Sequence, residues 1–139
     1  MLSKLYRNTV SIISTLDLAY KIENKEKIVV LDTRSEKEYK PSHIEHAVFV
    51  DYKKPDLSIL DTINQNTEII LYCTVGYRSE KIGEKVQKLG FKKVFNLYGG
   101  ITQWVNDGYS VYNKDGKTNI VHGYSKEWSK WFKSGEVIY

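Results

Sequence analysis

The chain carries a single cysteine, Cys73, in 139 residues. No disulfide can form within it, and a cysteine-rich zinc site is excluded as well. That thiol is therefore either inert core or chemistry. Long apolar runs are equally scarce. The longest, Ile28 to Leu31 and Ile69 to Cys73, suit buried strands and fall far short of the ~20 residues that a membrane helix needs. No membrane association is expected. There is no internal repeat and no low-complexity segment. Hydrophobic residues at 41% and charged residues at 27% give the balance of an ordinary globular domain, long enough to bury a core without staples.

The formal charge is +4, which allows either an anionic substrate or a mildly basic surface. Lysines are interleaved with acids, as in Ser35-Glu36-Lys37-Glu38 and Glu80-Lys81, a pattern that reads as solvated surface charge. Nucleic-acid binding is not expected. Residues 1–7 are basic, but Asp17, Glu23 and Glu26 follow with no long apolar stretch between, so no secretory signal is expected and the cytoplasm is the expected location. His46 and His122 have no metal-ligand spacing with any other candidate, and no metal is expected.

Apolar periodicity places the elements. Ser14 or Thr15 caps a helix with Leu16, Ala19, Tyr20 and Ile22 as its stripe. Ile28 to Asp32 and Glu68 to Cys73 read as central strands buried on both faces. Ala47 to Val50 is a short strand, and Leu57, Leu60 and Ile63 mark a short helix. Ile82, Val86 and Leu89 then share one helical face that Gly90 ends. Lys93 to Leu97 is another strand. Gly99-Gly100 breaks the chain before a helix striped by Ile101, Trp104 and Val105, which Gly108 closes.

Strands alternate with helices, so the expected fold is α/β, with a mainly parallel sheet covered by helices on both faces. Residues 1–112 are expected to form this domain. Residues 113–139 are expected to add a hairpin or loop and then a helix, with Trp128, Trp131 and Phe132 on one face packed back on the same domain.

Cys73 falls at the carboxyl end of a buried strand, where parallel sheets bind their ligands. Thr74-Val75-Gly76-Tyr77 follows, and a helix begins near Arg78-Ser79. A loop curling at Gly76 into a helix N-terminus aims consecutive backbone N–H groups at one place. A thiolate at the centre of that nest is stabilised, which makes the cysteine a nucleophile near neutral pH. The alternative is a buried structural thiol.

Here the sequence resembles the rhodanese-like domains, over roughly residues 12 to 112. Cys73-Thr74-Val75-Gly76-Tyr77-Arg78-Ser79 is similar to the family's active-site loop, with the sulfur-carrying cysteine first. Asp32-Thr33-Arg34 with Glu36, Glu38 and Tyr39 is similar to its Asp-x-Arg segment, and His43-Ile44-Glu45-His46-Ala47 to its His-Ile-x-Gly-Ala, with His46 replacing the usual glycine. Gly99-Gly100-Ile101 with Trp104 and Gly108-Tyr109 resembles its closing segment. Thr74 departs from the arginine that many members carry directly after the cysteine.

The resemblance implies a single-domain sulfurtransferase of the thiosulfate:cyanide type. In it, Cys73 takes a sulfane sulfur from a small anionic donor as a persulfide and passes it to a thiol, a protein or cyanide. It implies that the N–H groups from Val75 through Ser79 hold the outer sulfur, that Arg78 assists its charge, and that Thr74 and Tyr77 line the mouth. No cofactor is implied. Asp32, Arg34 and His43 are expected to organise the fold. A cysteine phosphatase is disfavoured, because its Cys-x5-Arg loop is one residue longer than the spacing from Cys73 to Arg78. The other rival is a redox-sensing or non-catalytic binding module that docks partners through the aromatic segment from Tyr124 to Phe132.

Overall fold

The computed structural model describes residues 8–139. The basic stretch at residues 1–7, read above for a targeting signal, lies outside them. Five parallel strands form the central sheet: β1 (Ser11–Ile13), β2 (Ile28–Asp32), β3 (Val48–Phe49), β4 (Glu68–Tyr72) and β5 (Val94–Leu97), in the order β1-β5-β4-β2-β3. Alternation along β4, with neighbours on both sides, explains why the four residues after Glu68 are all buried. Ile70 and Tyr72 enter one core while Ile69 and Leu71 enter the other. The α/β architecture with both sheet faces covered is as expected.

On the first face lie α1 (Thr15–Glu23) and α4 (Gly100–Asn106), with Leu18, Ile101, Trp104 and Val105 packed against Val30, Ile70 and Tyr72. On the second lie α3 (Tyr77–Lys88) and a 3-10 turn, Ser58–Thr62, with Leu60, Ile82 and Val86 against Leu31, Ile69 and Leu71. A single turn of helix, α2 (Glu36–Tyr39), follows β2. Among the described residues no helix is long and apolar enough to cross a membrane.

The α1 stripe differs from expectation. Ser14 is the cap and its hydroxyl accepts the Asp17 N–H, but the inward face is Thr15, Leu18, Ala19 and Ile22, whereas Leu16 and Tyr20 are 68% and 63% exposed. Both registers satisfy helical spacing. Packing makes the choice between them, with Leu18 fully buried in the core.

The remainder of the chain forms β6 (Val111–Asn113) and β7 (Gly116–Thr118), a hairpin, and then β8 (Ile120–His122), α5 (Lys126–Ser129) and β9 (Glu136–Ile138). β8 and β9 are parallel, with Val121 beside Val137. Parallel neighbours need a connection that returns to its starting level. Residues 123–135 must go out and back, which leaves room for one helical turn. Trp131 and Phe132 therefore lie beyond α5 instead of sharing a helical face with Trp128. Val111 and Val121 belong to the first core, and Phe132 and Val137 pack on it.

Candidate active site

β4 ends at Tyr72, and the chain is held there from several directions. The Thr33 N–H and hydroxyl both donate to the Tyr72 carbonyl at 3.0 Å. The Tyr72 hydroxyl in turn accepts the Ile44 N–H at 3.0 Å. Asp32 and Arg34 form a fully buried ion pair at 2.7 Å, and Arg34 also donates to the Ser42 carbonyl, so this pair ties loops together as expected. His43 stacks on Tyr39, with ring centroids 4.0 Å apart, and its backbone pairs with Tyr112. His46 has φ of +66°, the left-handed conformation that explains the glycine usual at this position.

Cys73 follows at once, 1% exposed. The Gly76 N–H donates to its Sγ at 3.0 Å. Gly76 has φ of +109° and is the N-cap of α3, so the loop curls back and presents the first turn of a helix to the sulfur. The N–H groups of Tyr77, Arg78 and Ser79 lie in that first turn, where no intrahelical acceptor exists. Ser79 Oγ is 3.6 Å from Sγ and 2.5 Å from Asn96 Oδ1. Asn96 Nδ2 donates to the Gly76 carbonyl at 2.9 Å, which fixes the curl from β5.

The rear of the loop rests on α4. The Ile101 N–H donates to the Cys73 carbonyl at 2.9 Å, and the Thr102 N–H and hydroxyl donate to the Thr74 carbonyl at 3.1 and 2.8 Å. A Cβ on Gly100 would stand 2.5 Å from both carbonyl oxygens, and φ there is +59°. Only glycine allows this approach. The Gly99-Gly100 pair thus serves the cysteine loop directly.

The residue that sequence reasoning placed wrongly is Glu38. Read as solvated charge, it is 1% exposed. The Arg78 guanidinium forks onto its two oxygens at 2.8 and 3.0 Å, the Ser35 N–H and hydroxyl donate at 2.9 and 2.8 Å, and the Thr74 hydroxyl donates at 3.2 Å. Burial pushes the Glu38 carboxyl up, but the Arg78 charge and these hydrogen bonds outweigh it and hold the group down at about 2. Glu80, also read as surface charge, is buried and accepts the Thr9 N–H. The side chain of Arg78 is committed to Glu38 and Thr74. Burial pulls its pKa down, but the bonds to Glu38 and the neighbouring Cys73 outweigh this and raise it.

Cys73, Thr74, Val75, Tyr77 and Arg78 all face one cleft of about 720 Å³. Its opposite wall is the chain's last segment, which contributes His122, Tyr124, Trp128 and Tyr139. Tyr124 lies over the Arg78 guanidinium, 4.6 Å from ring centroid to Cζ. The sequence marked the aromatic segment from Tyr124 to Phe132 but not its place beside the cleft, because His122 and Tyr124 are remote from the loop along the chain and match no motif.

Comparison with known proteins agrees with this fold. The chain is 34% identical over 105 residues to a tRNA uridine(34) hydroxylase of Buchnera aphidicola subsp. Baizongia pistaciae, covering 72% of this chain and 33% of that one. It thus spans about a third of that relative's length. It is 27% identical over 86 residues to the thiosulfate sulfurtransferase GlpE of Coxiella burnetii, covering 62% of this chain and 79% of GlpE. The solved structure of the BH2092 protein from Bacillus halodurans superposes with a TM-score of 0.69 at 28% identity, covering 76% of this chain and 79% of that one. The Rhodanese-like domain model matches residues 15–107. The chain belongs to the rhodanese-like domain family.

Proposed function

We propose that this protein is a sulfurtransferase that carries a sulfane sulfur on Cys73. The observation that supports this reading best is the Gly76 N–H pointing at Cys73 Sγ from the start of α3. A preorganised donor at a buried sulfur is what an anionic thiolate or persulfide requires, and it acts as an oxyanion hole does. A structural thiol gains nothing from facing a helix N-terminus and an open cleft.

In the first half-reaction the Cys73 thiolate attacks the outer sulfur of a donor such as thiosulfate. A new S–S bond forms, the donor's S–S bond breaks, and sulfite leaves with the electron pair. The Cys73 persulfide retains one negative charge, which the N–H groups from Val75 through Ser79 and the field of Arg78 stabilise. In the second half-reaction cyanide or a thiolate attacks the terminal sulfur, which frees the Cys73 thiolate and yields thiocyanate or the acceptor's persulfide. This is covalent catalysis with no proton transfer required in either step. Thr74 and Tyr77 form part of the mouth through which donor and acceptor pass in turn.

Steady-state thiocyanate formation from thiosulfate and cyanide tests the reading. Parallel double-reciprocal lines with the native protein, and no turnover with Cys73→Ser, are expected. Intersecting lines, or turnover surviving in Cys73→Ser, would contradict it.

A further inference from the structure

His122 ends β8, lies outside the family match, and is only 4% exposed. Its Nδ1 accepts the Tyr124 N–H at 3.0 Å. With that lone pair engaged, the ring proton of the neutral tautomer resides on Nε2. Burial, the leading influence, and the nearby cations Lys37, Arg34 and Arg78 lower its pKa against the opposing pull of Glu38, so the ring is neutral near pH 7. Nε2 is buried and meets no acceptor among the described residues. The residue lines the cleft onto which Cys73 opens. Tyr124, in the turn that follows and donates to this ring, holds φ of +75°, and strain of this kind concentrates at functional positions.

We propose that the His122 Nε2–H donates a hydrogen bond to a sulfonyl oxygen of the sulfur donor in this cleft, and so selects thiosulfate-type donors over alkyl persulfides. This rests on the sulfur-transfer reading above and names its donor class. The loop holds the sulfur being transferred, so the leaving half of the donor must occupy the rest of the cleft. A sulfonyl group there satisfies a buried N–H, with the bond strengthened by the oxyanion's charge. An alkyl group leaves the N–H unsatisfied, and sites built to hydrogen-bond a substrate reject analogues that cannot accept.

Two variants separate the two ring nitrogens. His122→Asn keeps an acceptor near the Nδ1 position for the Tyr124 N–H and removes the Nε2 donor. His122→Gln places an amide N–H near the Nε2 position and loses the acceptor. Rates of Cys73 persulfide formation are measured with thiosulfate and with an alkyl persulfide free of other acidic groups, and the ratio of the two is compared. The native preference for thiosulfate is expected to fall roughly tenfold or more in His122→Asn, through KM more than kcat, and to be largely kept in His122→Gln. An unchanged ratio in His122→Asn overturns the inference. So does an equal fall in both variants accompanied by an equal loss of melting temperature, which marks a structural role. Native protein that reacts with the alkyl persulfide and not with thiosulfate overturns the inference and leaves sulfur transfer standing, whereas native protein that reacts with neither removes both.

Discussion

The two walls of the cleft are built differently. The wall that carries Cys73 is held by β4, β5, α3 and α4 together, with the Cys73, Thr74 and Gly76 carbonyls each hydrogen-bonded by a neighbouring element. It lies within the region matched by the family. The opposite wall is a short parallel pair, β8 and β9, with one turn of helix between them, and it lies beyond that region. It meets the first wall through the Tyr124 ring over Arg78, and it is anchored to the first core by Val121, Phe132 and Val137. In the proposed reading, reaction chemistry sits on the wall inside the family match and donor choice on the wall outside it. A sulfur must be held to within a few tenths of an ångström, whereas a donor's leaving half tolerates looser contacts.

If that division is right, damage to the first wall reaches both stability and activity. Glu38→Ala leaves the Arg78 guanidinium, only 15% exposed, without its partner, and should lower the unfolding free energy by about 3 kcal/mol while disordering the loop. Chemical denaturation beside thiocyanate turnover measures both. The same pair gives an acid signature. The Glu38 pKa falls from an ordinary 4.5 to about 2 on folding, so the folded state binds fewer protons in that interval. Its stabilisation is therefore fully present above about pH 4.5 and is lost as pH falls toward 2, by on the order of 3 kcal/mol. Denaturation midpoints from pH 6 to pH 3 should drop more steeply in the native protein than in Glu38→Gln.

Gly100→Ala is expected to cost about 1–3 kcal/mol, from the positive φ and the collision with the Cys73 and Thr74 carbonyls. It should slow persulfide formation with both donor classes alike, which single-turnover kinetics would show. On the second wall, Tyr124→Leu removes the ring over Arg78 and should change stability by under about 1 kcal/mol. Its main effect should be on KM. A Tyr124→Leu variant as unstable as Glu38→Ala would erase the distinction between the walls.

The first wall was largely legible in the sequence and the second was not. β-branched runs such as Ile28 to Leu31 and Ile69 to Leu71 declared the central strands, and glycines at positions 76, 99 and 100 declared turns that need positive φ or close approach. The cysteine loop could be located from strand, loop and helix order alone. Ser35 and Glu38 have the spacing of a capping box, but the burial of Glu38 went unrecognised because its charged partner Arg78 is 40 positions away, and local charge patterning carries no trace of a distant partner. The inward face of α1 was ambiguous for a related reason, since two stripes fit the helical period and packing chose Leu18 over Leu16. His122 is the extreme case. Its place beside the cleft depends on a strand pairing that rests on Val121 and Val137 meeting the core, a contact with no local signature.

The central claim is that Cys73 holds the transferred sulfur. Intact mass of the native protein and of Cys73→Ser, taken after incubation with thiosulfate and again after added cyanide, tests it most directly. The account predicts a one-sulfur adduct on the native protein alone, removed by cyanide as thiocyanate forms. An adduct that persists in Cys73→Ser, or its absence from the native protein with both thiosulfate and an alkyl persulfide, would contradict it.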